Sequence, residues 1–248
     1  FLMDLGAATP FLYAFDDREA ILSLLETVTG SRLTYATARF GGLSRDLDAD
    51  FPRRAREVLV RLKARWQEFE DLIEDNVIFR QRTQGVGVFT LDQCRAWGVT
   101  GPPLRASGVP YDIRKAEPDG AYPRYEFDIP TRPEGDVFAR YMVRVAEMKQ
   151  SVRIIEQALD GLPDGPILTE GSIGVKKRLK PPVGTLYYAV ESARGAYGII
   201  LVSEGGSEPY RAKFRTPSYA NLGVMYDVLP GTMVADAVAV LGSVDLVM

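Results

Sequence analysis

The stretch Asp136-Val137-Phe138-Ala139-Arg140-Tyr141-Met142-Val143-Arg144-Val145-Ala146-Glu147-Met148-Lys149-Gln150-Ser151-Val152-Arg153-Ile154-Ile155-Glu156-Gln157-Ala158-Leu159 is the longest uninterrupted periodic segment of the chain. Val137, Phe138, Tyr141, Met142, Val145, Met148, Val152, Ile155 and Leu159 recur at helical spacing. One apolar stripe of that length needs a partner face, so the segment predicts a helical bundle.

Other segments supply the partners. Residues 1–15 are apolar nearly all round, the pattern of a buried helix that Gly6 and Pro10 are expected to bend or end. Asp16 or Asp17 is then expected to cap a second helix over 18–29, stopped by Gly30. Gly41 and Gly42 mark a turn. Residues 52–62 and 64–76 read as two amphipathic helical segments, and 78–83 as a short third. Thr90 caps 91–97 and Gly98 ends it. Residues 98–134 form a long loop rich in Gly and Pro, a length usually tied to function or to a partner surface. Beyond a linker at 160–183, residues 185–190, 197–203 and 210–215 read as strands. Arg194-Gly195 and Gly205-Gly206 supply their turns, and a last apolar helix covers 234–241. The fold class is therefore mainly α (α+β), a helical bundle with a small antiparallel β region near the C-terminus. One domain over 1–248 is expected, with the bundle in 1–161 and hairpins plus a final helix in 184–248.

Composition excludes several functions. The net charge of −3 leaves no electrostatic footprint for nucleic acid. The single cysteine, Cys94, rules out a disulfide framework and a cysteine cluster held by this stretch alone, and a buried inert thiol is expected. The absence of histidine removes every Ser-His-Asp or Cys-His triad and every histidine metal site within these 248 residues. No apolar run reaches the length of a membrane span. Phe1 opens inside an apolar pattern without a cap and Met248 follows another apolar run, so both ends read as cut and a fragment is expected.

Asp4 is the sharpest local feature. A carboxylate among Leu2, Met3, Leu5 and Phe11 is costly to bury unless paired or protonated. By itself it reads as a helix-end carboxylate satisfied by backbone or an arginine. The loop stretch 104–115 offers Arg105 and Arg114 for anions, against the plainer reading of a loop pinned by Arg–Asp pairs. Lys176, Lys177, Arg178 and Lys180 suit anionic lipid or an acidic partner, but such a run is more often a solvated linker. Ser203-Glu204-Gly205-Gly206 lacks the Gly-Lys-Ser of a phosphate loop and reads as a hairpin turn.

Five segments, taken in order and spacing, resemble one family. They are Leu5-Gly6-Ala7-Ala8-Thr9-Pro10-Phe11, residues 105–115, Arg140-Tyr141-Met142-Val143-Arg144-Val145-Ala146-Glu147-Met148, Glu191-Ser192-Ala193-Arg194-Gly195, and Val234-Ala235-Asp236 through Asp245-Leu246-Val247-Met248. The chain resembles, over essentially its whole length, the D subunit of respiratory complex I (NADH–quinone oxidoreductase), a relative of the nickel–iron hydrogenase large subunit. The resemblance implies a hydrogenase-large-subunit-like bundle whose N-terminal part, with a quinone-facing histidine loop and tyrosine, is missing here.

Further implications concern residues. Asp4 matches the aspartate that pairs with that histidine, making it the catalytic carboxylate. Asp4, Phe11, Leu12 and Val247 match quinone-binding positions, although many relatives carry an aromatic where Leu12 stands. Thr34 and Arg39 fall near the iron–sulfur cluster of a partner protein. Thr34 stands where many relatives have histidine, which implies weaker pH coupling of that cluster. Ala196 replaces a usual acid, and Thr232 a usual His or Gln. No metal is expected on this chain, since Val247 occupies a position of the hydrogenase Cys-x-x-Cys motif. Quinone is the implied substrate, and NADH binds elsewhere in the assembly. The implied partners are the iron–sulfur B subunit, the C subunit and the membrane-arm H subunit, at the cytoplasmic face of the cell membrane. Proton translocation by the assembly is implied as well. Two other readings stay open: a membrane-bound hydrogenase-type large subunit, and a non-catalytic scaffold of the same fold.

Overall fold

The structure, a computed structural model, describes residues 1–170 and 180–247. It is mainly helical with a small antiparallel sheet near the C-terminus, the expected α+β class. Of the basic run, residues 176–179 lie outside the described residues; Lys180 is exposed.

Helix α1 (Ala8–Thr29) is one continuous helix, which corrects the expected break and restart. Pro10 sits in its first turn, where a missing N–H costs nothing. Asp16 and Asp17 lie mid-helix, where backbone N–H groups already have partners and no cap can form. Asp17 is instead buried at 3.4 Å from Arg61 and 3.6 Å from Arg65, both on α2 (Phe51–Phe69). Burial raises its pKa, against the pull of the two guanidiniums. Gly30 ends α1 in the left-handed region, as expected.

A two-strand hairpin, β1 (Ala38–Arg39) and β2 (Gly42–Leu43), follows. A Cβ on Gly42 would lie 2.0 Å from the Ile167 carbonyl, so only glycine lets the 167–168 segment cross there. The two expected segments after it are joined: α2 runs unbroken through Lys63, and a π-helical turn (Glu70–Glu74) completes it. Asn76 caps α3 (Val77–Thr83), and Thr90 and Gln93 form a capping box on α4 (Leu91–Trp97), which Gly98 ends.

The 98–134 segment is not free. It contains α5 (Pro102–Arg105), α6 (Ile113–Ala116) and a 3-10 turn (Tyr122–Arg124). Helix α7 (Val137–Asp160) matches the founding stripe, with Asp136 capping Ala139 N–H at 2.7 Å. Its first half buries Val137, Ala139 and Val143; its second half packs Val152 and Leu159 on Ala55 and Leu59 of α2. Because the buried face changes along its length, Met148 and Ile155 of the stripe are exposed.

Strands β3 (Gly184–Ser192), β4 (Gly195–Ser203) and β5 (Arg211–Arg215) pair antiparallel in that order. The β3–β4 turn presses on the residues before α5: a Cβ on Gly101 would lie 2.4 Å from the Arg194 carbonyl. Two short helices not expected from the sequence, α8 (Pro217–Gly223) and α9 (Met225–Val228), lead to α10 (Val234–Val244). Phe89, Cys94, Val99, Val137, Val224, Met225, Val240 and Val244 form the largest buried cluster, each such side chain contributing about 1–3 kcal/mol. Cys94 is buried and its pKa is raised by burial, the inert thiol expected.

Candidate functional site

Both ends of the described chain reach that cluster. Phe1 and Leu246 pack against it, and Phe1 also meets Phe79 edge-on at 6.2 Å between ring centroids. Residues 1–7 are held as tight turns by Gly6 N–H to the Met3 carbonyl and Ala7 N–H to the Leu2 carbonyl, both 2.9 Å. The turn lies on Gly242 of α10: a Cβ there would be 3.1 Å from the Phe1 ring and 3.8 Å from Asp4 Oδ2.

The burial expected for Asp4 does not occur. Leu2 and Leu5 point into a cleft of about 280 Å³ with Ile73 and Phe79, while Asp4 faces outward with its side chain 51% exposed. The physical reason is local: residues 2–6 form a turn ahead of α1, not a helix, so no single buried face gathers Asp4 with its neighbours, and Asp4 and Met3 point outward while Leu2 and Leu5 point in.

Phe11 is half-buried and meets the Phe15 ring at a 50° tilt, 4.6 Å between centroids, Leu12 is 62% exposed, and neither lines the cleft beside Asp4. Val247 is exposed, and its N–H donates to Ser218 Oγ at 3.2 Å. The Asp4 turn and the 245–247 segment thus meet on one core cluster, through Phe1 and Leu246. Thr34 and Arg39 lie apart from them, exposed on the loop and hairpin after α1. Thr34 adopts φ 53°, and Arg32 ties the loop back to Glu19 and Glu26 of α1.

A second assembly of charge is buried. Arg105 donates from Nε to Glu147 and from Nη1 to Glu191 at 3.0 Å and to the Tyr111 carbonyl at 2.9 Å. Asp112 caps α6 and binds Arg114 at 2.6 Å. This is the loop pinned by Arg–Asp pairs that the sequence offered as its plainer reading. Burial raises the Glu191 pKa despite Arg105. For Asp112, burial is outweighed by Arg114 and Arg105, and its pKa is lowered. Arg140 is fully buried and has no carboxylate within ion-pair distance among the described residues. It donates to Ser243 Oγ at 2.8 Å and to the Gly135 and Gly87 carbonyls at 2.6 and 2.9 Å, and it lies 4.1 Å over the Phe89 ring. Burial, then the charge of Arg144, brings its pKa down to about 9.

Sequence reasoning did not single out Arg140, Arg144, Glu147 and Glu191 as buried groups. The signal was present in the 140, 144, 147, 151 spacing, which places Arg140, Arg144, Glu147 and Ser151 on one helical face. Arg105, Arg144, Glu147, Glu191 and Asp245 come from four of the five segments that carried the resemblance, and they line a single cavity of about 390 Å³.

The family model of the respiratory-chain NADH dehydrogenase 49 kDa subunit matches residues 4–178 and 171–248. The chain belongs to that family. Among its relatives, the NADH-quinone oxidoreductase D subunit of Syntrophobacter fumaroxidans is 55% identical over 247 residues, covering 100% of this chain and 65% of the relative. The D subunit of Desulfotalea psychrophila is 49% identical, covering 100% of this chain and 66% of the relative. A D subunit of Opitutus terrae, the one numbered 2, is 49% identical, covering 99% and 61%. The chain therefore spans just under two thirds of these members of the 49 kDa family. Membership bears out the resemblance read from the five segments, all of which fall within the matched residues.

Proposed function

We propose that this chain forms one wall of the chamber in which a quinone is reduced within a proton-translocating NADH–quinone oxidoreductase. Family membership and the names of the relatives support the assembly. The single observation that carries the site is the meeting of two segments distant in sequence on one core cluster: the Asp4 turn rests on Gly242, and Leu246 packs beside it, next to Val247.

Reduction of a quinone to quinol takes two electrons and two protons. In this reading the electrons come from an iron–sulfur cluster in the partner B subunit, which packs near Thr34 and Arg39. Their exposed loop and hairpin, with Phe40 69% exposed beside them, give a surface for such a partner. NADH is bound elsewhere in the assembly, and the C and H subunits complete the surroundings. The chain has no histidine, so a histidine proton donor comes from outside these residues. Asp4 is the acceptor that holds it, and the carboxylate's half exposure leaves it open to that hydrogen bond. Phe11, Leu12 and Val247 supply apolar wall, as a quinone pocket requires. Among the described residues no helix is long and apolar enough to cross a membrane. We place the chain at the cytoplasmic face, held there by partners.

A photoactivatable quinone analogue tests this reading in the assembled complex. The expected adducts map to residues 1–12 and 245–247 and are displaced by native quinone. Displaceable adducts confined to other proteins of the complex would overturn it.

A further inference from the structure

We propose that the outer edge of β5 takes a fourth strand, an extended segment of another protein of the complex in which acidic residues alternate with apolar ones. The proposal does not depend on the quinone reading.

The order β3–β4–β5 puts β5 at an edge of the sheet. Its pairing with β4 runs from Arg211 opposite Val202 to Arg215 opposite Gly198 and uses one side of the strand. Among the described residues no other backbone bond reaches 211–215, and positions 211–214 are all exposed. An open row of N–H and C=O groups is a template for one more strand.

The two faces beside that edge differ in chemistry, because side chains alternate along a strand. Arg211, Lys213 and Arg215 share one face. Arg215 donates to the Ala196 and Gly98 carbonyls, both at 2.6 Å. None of the three has a carboxylate within ion-pair distance among the described residues, although Glu204 and Glu208 stand in the turn before β5. The result is a positive edge on a chain of net charge −3. The opposite face is apolar. Leu186 and Tyr188 of β3, Tyr197 of β4 and Phe214 of β5 are 39–58% exposed there, and the Tyr197 and Phe214 rings lie 6.4 Å apart. Grouped exposed apolar side chains of this kind mark a contact surface.

A strand added to β5 follows the same alternation. Its side chains fall in turn beside the cations and beside Phe214, so acids at i, i+2 and i+4 with apolar residues between them complement both faces at once. A second copy of the chain does not fit, since two cationic edges repel. A membrane surface would meet the cations but leave the backbone row unpaired.

The test uses the assembled complex, with p-benzoylphenylalanine in place of Phe214 for photocrosslinking and with hydrogen exchange read on the wild type. The expected adduct lies on another protein of the complex, in a segment with alternating acidic and apolar residues. The outward-pointing amides of 211–215 are expected to exchange about 100-fold or more below their intrinsic rates. Arg211→Glu combined with Lys213→Glu is expected to reduce both adduct and protection about tenfold or more. Adducts on lipid, on a second copy, on further residues of the same chain, or on a segment without alternating acids overturn the proposal. So do the absence of any adduct, outward amides that exchange near their intrinsic rates, and an adduct and protection that survive the double substitution unchanged. Should that variant not assemble, the wild-type exchange and the crosslink decide alone.

Discussion

Arg140 Nε donates to Ser243 Oγ at 2.8 Å, and Ser243 in turn donates to the Val240 carbonyl at 2.6 Å, so the middle of the chain grips the last turn of its final helix. The same guanidinium closes on two loop carbonyls, at Gly87 and Gly135. Arg140→Ala removes three buried hydrogen bonds and leaves a cavity in the core, a loss of about 3–5 kcal/mol. The expected outcome is poor incorporation of the chain into its complex and a lowered melting temperature, with Arg140→Lys intermediate. Assembly at the wild-type melting temperature would contradict this account of the core.

Gly242 sets the seat of the N-terminal turn. A Cβ there meets the flexible edge of the Phe1 ring at 3.1 Å and comes within 3.8 Å of the Asp4 carboxylate. Gly242→Ala is expected to be tolerated, because the ring can shift by a few tenths of an ångström. Gly242→Val is expected to displace the turn and lower quinone reductase activity several-fold, with the complex still assembled. Activity assays on both variants check this; equal activity in both would separate Asp4 from its seat.

Asp112 makes the loop network acid-sensitive. Burial alone raises its pKa, but the Arg114 bonds and the Arg114 and Arg105 charges reverse that, so the folded value lies below the ordinary 3.8. A depressed folded pKa contributes stability that is present above the unfolded value and is lost as pH falls through the folded one. Protection of the 105–116 amides, each rate referred to its intrinsic exchange at the same pH, is therefore expected to fall below about pH 4 in wild type. Asp112→Asn, which breaks a buried pair at a cost of about 3 kcal/mol, is expected to exchange faster at neutral pH and to show a flatter acid dependence. Parallel pH profiles for the two proteins would show that Asp112 does not carry the effect.

Much of the fold was legible where one residue type has one local use. Thr90 and Gly98 bracket α4 and Gly30 stops α1, as their chemistry requires. Asp16 and Asp17 misled because aspartate serves equally as a cap and as a tertiary partner. Their arginines, Arg61 and Arg65, lie far along the chain, so no local pattern announced the pairing. Helices α8 and α9 are too short for a period to emerge. At the candidate sites, apolar neighbours in sequence suggested a buried Asp4, yet a turn sends its side chain and theirs in different directions. Arg140 and Arg144 went unmarked because charge on a helix usually means solvent. Only the packed neighbours, Ser243 and the carbonyl ring, reveal a buried face.

The central claim is tested most directly by Asp4→Asn in the intact complex, a change that removes the charge while keeping the shape. Steady-state reduction of native quinone by NADH is the measurement, with the iron–sulfur signals of the complex recorded alongside. The account predicts that turnover falls at least several-fold while those signals and the protein content of the complex stay at wild-type levels. Wild-type turnover with native quinone would contradict it.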